Sequence, residues 1–378
     1  MSKKIIICGM GKLGKPVIDF CISQKNLYEL SAIIDNGQCG KTEVYRGVPV
    51  IGTKELNDFV YDQIWICSRY YREIKKQLTD EMNVSSDRIT YMEYPLIELE
   101  GPLREKYKDV LSSDGCKCMD PDKQKVLDHL KNHPLRMFNY DFYEEAIEQD
   151  TPVYFDEEAG MYYGYYQGHK IYLKRSYNSY YLAQWYLNMI IMEQGKGSPH
   201  NYFTDAFILP DDSIGIDVGA AEGIFGLKII DRVKRLYLVE ENADWCEALR
   251  YTYAPFEDRV EIVQKYAGTE TGGNTVRLDD LADRKGIDFI KMDVEGAEPE
   301  VLKGAEGILE KGNPSLAVCT YHNENDEITV TEMLKEKGYV ISMSRGYLVC
   351  AGEWELETMN PDFRRAVCFA NKLREDNK

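Results

Sequence analysis

Two short runs carry the side chains best placed for chemistry. In the first, Asp217-Val-Gly219-Ala-Ala221-Glu222-Gly223 follows directly on the apolar residues Ile214, Ile216 and Val218. Glycine at 219 and 223 lets the backbone turn sharply and approach a ligand closely, so the run reads as a cofactor loop at the end of a buried strand. Roughly twenty residues on, Leu236-Tyr-Leu-Val239 ends in Glu240, a carboxylate able to bind a ribose diol. In the second, Asp293-Val-Glu295-Gly296-Ala-Glu298 sets three carboxylates about a glycine at a strand-to-helix transition. Asp293 ends its strand and is the leading base or substrate-orienting residue, with Glu295 beside it and His322 at the end of the next apolar run. His200 is a further candidate among only five histidines. Simpler readings stand alongside. A strand-end acid often caps the next helix, and a lone histidine is often structural. Asp293, Glu295, Glu298 and His322 are also hard-metal ligand types, but nothing in their spacing demands an ion and none is expected.

A rival loop opens the chain. Lys4-Ile-Ile-Ile-Cys8 reads as a strand, Gly9-Met-Gly11-Lys-Leu-Gly14 fits G-x-G-x-x-G, and Asp35 closes a second apolar run. These glycines and the following helix N-terminus suit a pyrophosphate, and Asp35 suits a ribose hydroxyl; the alternative is a tight turn in a scaffold. Tyr71-Arg-Glu-Ile-Lys75 spells the Tyr-x-x-x-Lys of short-chain dehydrogenases, but it lies too close to the glycine loop and is expected on an exposed helix face without chemical duty. Cys116-Lys-Cys118 is the only close cysteine pair and lacks partner ligands for a metal site.

The elements that must position these residues follow from composition and periodicity. At 378 residues, with 29% charged and 44% apolar, the chain is long enough for two domains with ample cores. A formal charge of −18 disfavours nucleic acid as a partner. The apolar runs are too short to span a membrane, and mostly single, strand-embedded cysteines suit a reducing compartment, so a cytoplasmic protein is expected. Residues 1–110 read as a small Rossmann-like parallel sheet. Residues 111–200 read as a helical connector and a Tyr-rich β-hairpin region, whose tyrosines suit either a sugar platform or, preferably, an ordinary meander. Residues 201–378 alternate strand and helix through Leu316–Tyr321, with later apolar runs at 339–341, 347–351 and 366–370, and read as seven strands with a terminal hairpin. The fold class is therefore α/β, with ligands at the carboxyl ends of the strands.

The second half also carries a resemblance. Asp217-Val-Gly-Ala-Ala-Glu-Gly223, Leu278-Asp-Asp-Leu281, Lys291-Met-Asp293-Val-Glu295-Gly296-Ala-Glu298 and Val301-Leu-Lys-Gly-Ala305 resemble the FkbM family of S-adenosylmethionine-dependent methyltransferases over about residues 211–372. The resemblance implies a class I methyltransferase fold and O-methyl transfer, with a saccharide or nucleotide-sugar as acceptor. It also implies that residues 217–223 cradle the amino-acid part of S-adenosylmethionine, with Asp217 or Glu222 facing its ammonium or sulfonium, that Glu240 takes the ribose, and that Tyr266 and Ala267 flank adenine. Tyr172-Leu-Lys, Glu193-Gln194 and Ser198-Pro-His200 resemble an extension found in members from polysaccharide clusters, and residues 1–95 resemble domains of nucleotide-sugar pathways, which leaves room for a second nucleotide ligand there. Two other functions compete: an NAD(P)-dependent sugar-nucleotide enzyme using Gly9, Gly11, Gly14 and Asp35, and a non-catalytic nucleotide-sugar scaffold. The acceptor and the oligomeric state are not specified by these residues.

Overall fold

The computed structural model describes residues 2–11, 14–23, 25–68, 70–91, 120–133, 136–281, 286–350 and 362–372. They divide into two compact units: one holds those up to 91 and those of 127–139, and the other holds 120–126, 140–350 and 362–372. Cys116 and Cys118 lie outside the described residues.

The first unit is built on β1 (Lys3–Cys8), β2 (Tyr28–Ile34), β3 (Val44–Tyr45), β4 (Val48–Ile51), β5 (Gln63–Ile66) and β6 (Ile89–Tyr91). Their order is β3-β4-β2-β1-β5-β6, all parallel but for β3 on β4. Ile5, Ile6 and Ile7 are all buried, as a central parallel strand covered on both faces requires. The helix Gly14–Ser23 packs Val17, Ile18 and Cys21 inward. The helix Tyr71–Asp80 corrects one expectation. Tyr71 does not lie on an exposed face: it stands seven residues from Leu78, on the same stripe, and both are buried.

In the second unit β7 (Tyr154–Asp156), β8 (Met161–Tyr166) and β9 (His169–Tyr172) form an antiparallel meander. Gln167 and Gly168 both have positive φ, the requirement of a two-residue hairpin turn matching strand twist. The helix Tyr180–Glu193 is capped by Ser179, whose hydroxyl accepts from the Leu182 amide at 3.2 Å. Gly164 lies beneath it, where a Cβ would stand 2.2 Å from a terminal methyl of Leu187 and displace that side chain.

The main sheet comprises β10 (Ser213–Val218), β11 (Val233–Val239), β12 (Val260–Val263), β15 (Phe289–Met292), β16 (Ser315–Cys319), β17 (Val340–Met343) and β20 (Val367–Asn371); the short pairs β13 (Tyr266–Ala267) with β14 (Thr275–Val276), and β18 (Leu348–Cys350) with β19 (Asp362–Arg364), stand apart from it. The order is β12-β11-β10-β15-β16-β20-β17, parallel except for β20, which runs antiparallel between β16 and β17. Leu348–Cys350, from the run at 347–351, pairs with Asp362–Arg364 and does not join the main sheet. Leu278–Asp280 is a short 3-10 turn, and residues 282–285 lie outside the described residues. Chain order reverses between β10 and β15, which opens a crevice at their carboxyl ends.

Candidate active site

A cavity of about 350 Å³ lies in that crevice. Gly219 and Ala221 form one wall, Glu240 with Tyr266 and Ala267 another, and Asp293 with Glu295 a third. Gly219 cannot be replaced without movement: its φ is +72°, and a Cβ would stand 1.7 Å from the Asp293 carbonyl oxygen. Ala221 and Glu295 adopt positive φ of 45° and 54° without being glycine. Such strain collects at ligand sites, where surrounding structure holds it in place. The Glu295 side chain, 95% exposed, stands at the cavity mouth, 3.8 Å from His322 Nε2.

Glu240 holds the loop in shape while facing the cavity. Its Oε2 accepts from the Ala221 amide at 2.9 Å and its Oε1 from the Asn242 amide at 2.8 Å. Asn242 in turn caps the helix Ala243–Thr252, accepting from Asp244 and Trp245. A carboxylate offers about four acceptor directions, so two remain for a ligand diol.

Asp217, Glu222 and Gly223 do not line the cavity. Asp217 is fully buried, with Oδ1 3.0 Å from Lys291 Nζ, and Lys291 also donates to the Gly219 carbonyl at 2.8 Å. Burial pushes the Asp217 carboxyl up and Lys291 only partly counters this. A buried Asp–Lys pair thus braces the loop from beneath. Glu222 accepts from Tyr186 Oη at 2.7 Å, and burial raises its pKa to about 7. Gly223, with φ +85°, caps the helix Ile224–Ile229, and its carbonyl accepts from Tyr253 Oη at 2.6 Å.

Asp293 stands where the cavity meets a buried polar network. Its Oδ2 accepts from Tyr202 Oη at 2.9 Å and lies 3.4 Å from His200 Nε2, while its Oδ1 lies 3.3 Å from His322 Nε2. The other ring nitrogens meet carboxylates as well: His200 Nδ1 lies 3.3 Å from Glu193, and His322 Nδ1 lies 3.0 Å from Glu298. Burial alone would raise the Asp293 carboxyl, but the two imidazoles outweigh it and hold Asp293 well below the usual carboxylate range. Burial would likewise strip His322 of its proton, but Asp293 and Glu298 outweigh this and raise its pKa to about 10. Glu298 also accepts from the Val294 amide at 2.9 Å, so it fixes the bend after β15 and does not face the cavity.

Two groups of potential metal ligands share Asp293: His200, Asp293 and Cys319, and Asp293, Glu298 and His322. In the first, the Tyr202 hydroxyl fills the centre, within hydrogen-bond reach of all three side chains. In the second, the two carboxylates address opposite nitrogens of one ring. Hydrogen bonds join the first group, and ion-pair distances relate the members of the second.

The first-unit loop has the same plan with a different outcome. Asp35 Oδ2 accepts from the Met10 amide, and Oδ1 from Gly37 and Gln38. Met10 turns its side chain into the core, and a Cβ on Gly14 would meet the Gly9 carbonyl oxygen at 1.9 Å.

Comparison with known proteins locates this geometry. Residues 261–341 match the FkbM methyltransferase domain, and residues 1–90 match the C2185-like N-terminal domain. The stretch that matches the FkbM methyltransferase domain includes Asp293, Glu295, Glu298 and His322. No curated protein matches the chain. Among solved structures, the methyltransferase FkbM from Methylobacillus flagellatus KT is similar at 17% identity over 98% of this chain and 90% of its own, with a TM-score of 0.44. Precorrin-6y C5,15-methyltransferase from Geobacter metallireducens GS-15 is similar at 18% identity over 44% of this chain and 84% of its own, with a TM-score of 0.32. TYW2 from M. jannaschii in complex with AdoMet is similar at 13% identity over 56% of this chain and 86% of its own, with a TM-score of 0.33. No helix among the described residues is long and apolar enough to cross a membrane.

Residue pattern alone gives no role to Lys291, Tyr202, Glu193, Tyr186 or Asn242. Asn242 had a local signal, since a strand-end acid followed two residues later by Asn marks a helix cap. Lys291 and Tyr202 had none, because their partners lie 74 and 91 positions away in the chain.

Proposed function

We propose that this chain is an S-adenosylmethionine-dependent O-methyltransferase acting on a hydroxyl of a saccharide or nucleotide-sugar. The observation that carries the reading is a single cavity joining the Gly219 loop and Glu240 to Asp293. The residues fit such a group: the close approach at Gly219 leaves backbone for an amino-acid moiety, Glu240 keeps acceptor capacity for a ribose diol, and Tyr266 and Ala267 offer a wall for adenine. Bound there, S-adenosylmethionine supplies an electrophilic methyl group.

The chain's own part is to align a hydroxyl, exclude water and take a proton. Asp293, ionised at neutral pH, would accept the hydroxyl hydrogen bond, orient that oxygen and take its proton on the carboxylate. His322, protonated below about 10, serves as the adjacent charge partner and not as the resting base. Residues 9–35 lend the nicotinamide reading no support, because Asp35 already serves three amides.

Calorimetry with S-adenosylhomocysteine, followed by labelled methyl transfer to a panel of sugars and sugar nucleotides, tests the reading. Binding is expected in the second unit, and Asp293→Asn should keep binding within a few fold while methyl transfer falls by about 10²–10⁴-fold. Absence of binding would sink it.

A further inference from the structure

Behind Asp293 runs a line of buried polar groups that neither the cavity nor the methyl donor requires. The helix Tyr180–Glu193 ends on Glu193, whose side chain is about one-third exposed. His200 follows at 3.3 Å, buried, and its Nε2 stands 3.1 Å from Tyr202 Oη, which donates to Asp293. The segment between is fastened at both ends by one side chain: Gln194 donates to the His200 carbonyl at 3.2 Å and accepts from the Tyr202 amide at 3.3 Å. Tyr321 packs edge-on against His200, with ring centroids 5.2 Å apart, and lies tilted against His322 at 4.1 Å. This construction is costly. Buried polar groups destabilise unless each is matched, and a methyltransferase loop needs none of them to hold its donor.

We propose that Glu193, His200 and Tyr202 are positioning residues that orient Asp293: they occupy its Oδ2 and leave Oδ1, beside His322, to receive the acceptor hydroxyl. The inference rests on the O-methyltransferase reading and names the device that aims its base. A carboxylate whose two oxygens are equally free would sample several orientations. Fixing one oxygen with a phenol and an imidazole removes that freedom before the acceptor arrives, which is where alignment contributes to rate. The same groups favour the ionised carboxylate, because a hydrogen bond or a positive charge directed at a carboxylate opposes its protonation. The titratable and charged groups facing Asp293 are His200, Tyr202, His322, Lys291, Cys319, Asp217 and Tyr321, with Glu295 at the mouth.

The test uses the full chain with ¹³C-carboxyl aspartate, the Asp293 resonance being the one lost in Asp293→Asn. Tyr202→Phe should raise the Asp293 titration midpoint by about one pH unit or more, and Glu193→Gln, altered at its partly exposed end, should raise it by less. S-adenosylhomocysteine affinity should stay within twofold in both, while kcat for methyl transfer falls by about tenfold or more in Tyr202→Phe. Glu193→Asp should restore part of what Glu193→Gln loses. An Asp293 midpoint that stays at its wild-type value in both folded variants would overturn the proposal. Loss of S-adenosylhomocysteine binding by the unaltered protein would instead overturn the methyltransferase reading, so the two failures are distinguishable.

Discussion

The chain contains two glycine loops of one design, and they differ in what their strand-end acids have left to give. In each, a parallel strand runs into glycine at positive φ and the acid ending the next strand accepts a loop amide: Asp35 from Met10, Glu240 from Ala221. Asp35 then takes two more amides from its own turn, and the residue between Gly9 and Gly11 sends its side chain into the core. Glu240 takes one more, from a helix cap, and faces a cavity. A glycine fingerprint thus marks a tight strand-to-helix turn. Whether the turn binds anything depends on the remaining acceptor capacity of the acid and the space in front of it.

The largest effect that can break this comparison comes from paired glycine substitutions. Gly219→Ala places a Cβ 1.7 Å from the Asp293 carbonyl oxygen in a left-handed residue, and should weaken S-adenosylhomocysteine binding by about 100-fold or more, equivalent to roughly 3 kcal/mol of strain. Gly14→Ala, with its Cβ 1.9 Å from the Gly9 carbonyl oxygen, should lower the denaturation midpoint of the first unit and leave binding within twofold. Calorimetry and thermal melting of the two variants decide it. Binding lost in Gly14→Ala without a change in melting would reverse the roles of the loops.

A smaller and sharper contrast lies in the acids themselves. Glu240→Gln removes a charged acceptor from two amides and should weaken S-adenosylhomocysteine by about tenfold, near 1.5 kcal/mol for a hydrogen bond to a charged group. Asp35→Asn should destabilise its own turn and leave the affinity untouched. If both substitutions weaken binding equally, the two loops are not functionally distinct.

How much of this was legible in the sequence follows from where each interaction's partner lies. Ile214, Ile216 and Val218 mark β10 by alternation, and Gly219 and Gly223 mark the loop, because strand period and backbone freedom are local properties. Local pattern shows Asp217 at a strand end but not the lysine beside it on β15. Leu348–Cys350 is apolar like a strand of the main sheet, but apolar character does not choose a partner, and it pairs with Asp362–Arg364 instead. Tyr-x-x-x-Lys relates Tyr71 to Lys75 at i, i+4, while burial follows the i, i+7 stripe to Leu78. Asp293 was found from its strand end, but the Glu193, His200 and Tyr202 line behind it arises only when the segment after a helix folds back on β15.

The smallest expected effect concerns the charge around Asp293, and its sign follows from one group. His322 has a folded pKa of about 10, against an unfolded value near 6.5. Its protonated form is therefore favoured by folding: the stabilisation it contributes is fully present below about 6.5 and is lost as pH rises through about 10. Native-state hydrogen exchange read peptide by peptide should show protection in the second unit, around β15 and β16, declining between pH 7 and 10 beyond the change intrinsic to exchange chemistry. His322→Gln should flatten that decline while lowering protection at pH 7, and should leave β1 and β2 of the first unit unaffected at either pH. If the decline persists unchanged in His322→Gln, the stabilising imidazolium is not at 322, and the charge holding Asp293 ionised must come chiefly from His200 and Lys291 on its other side.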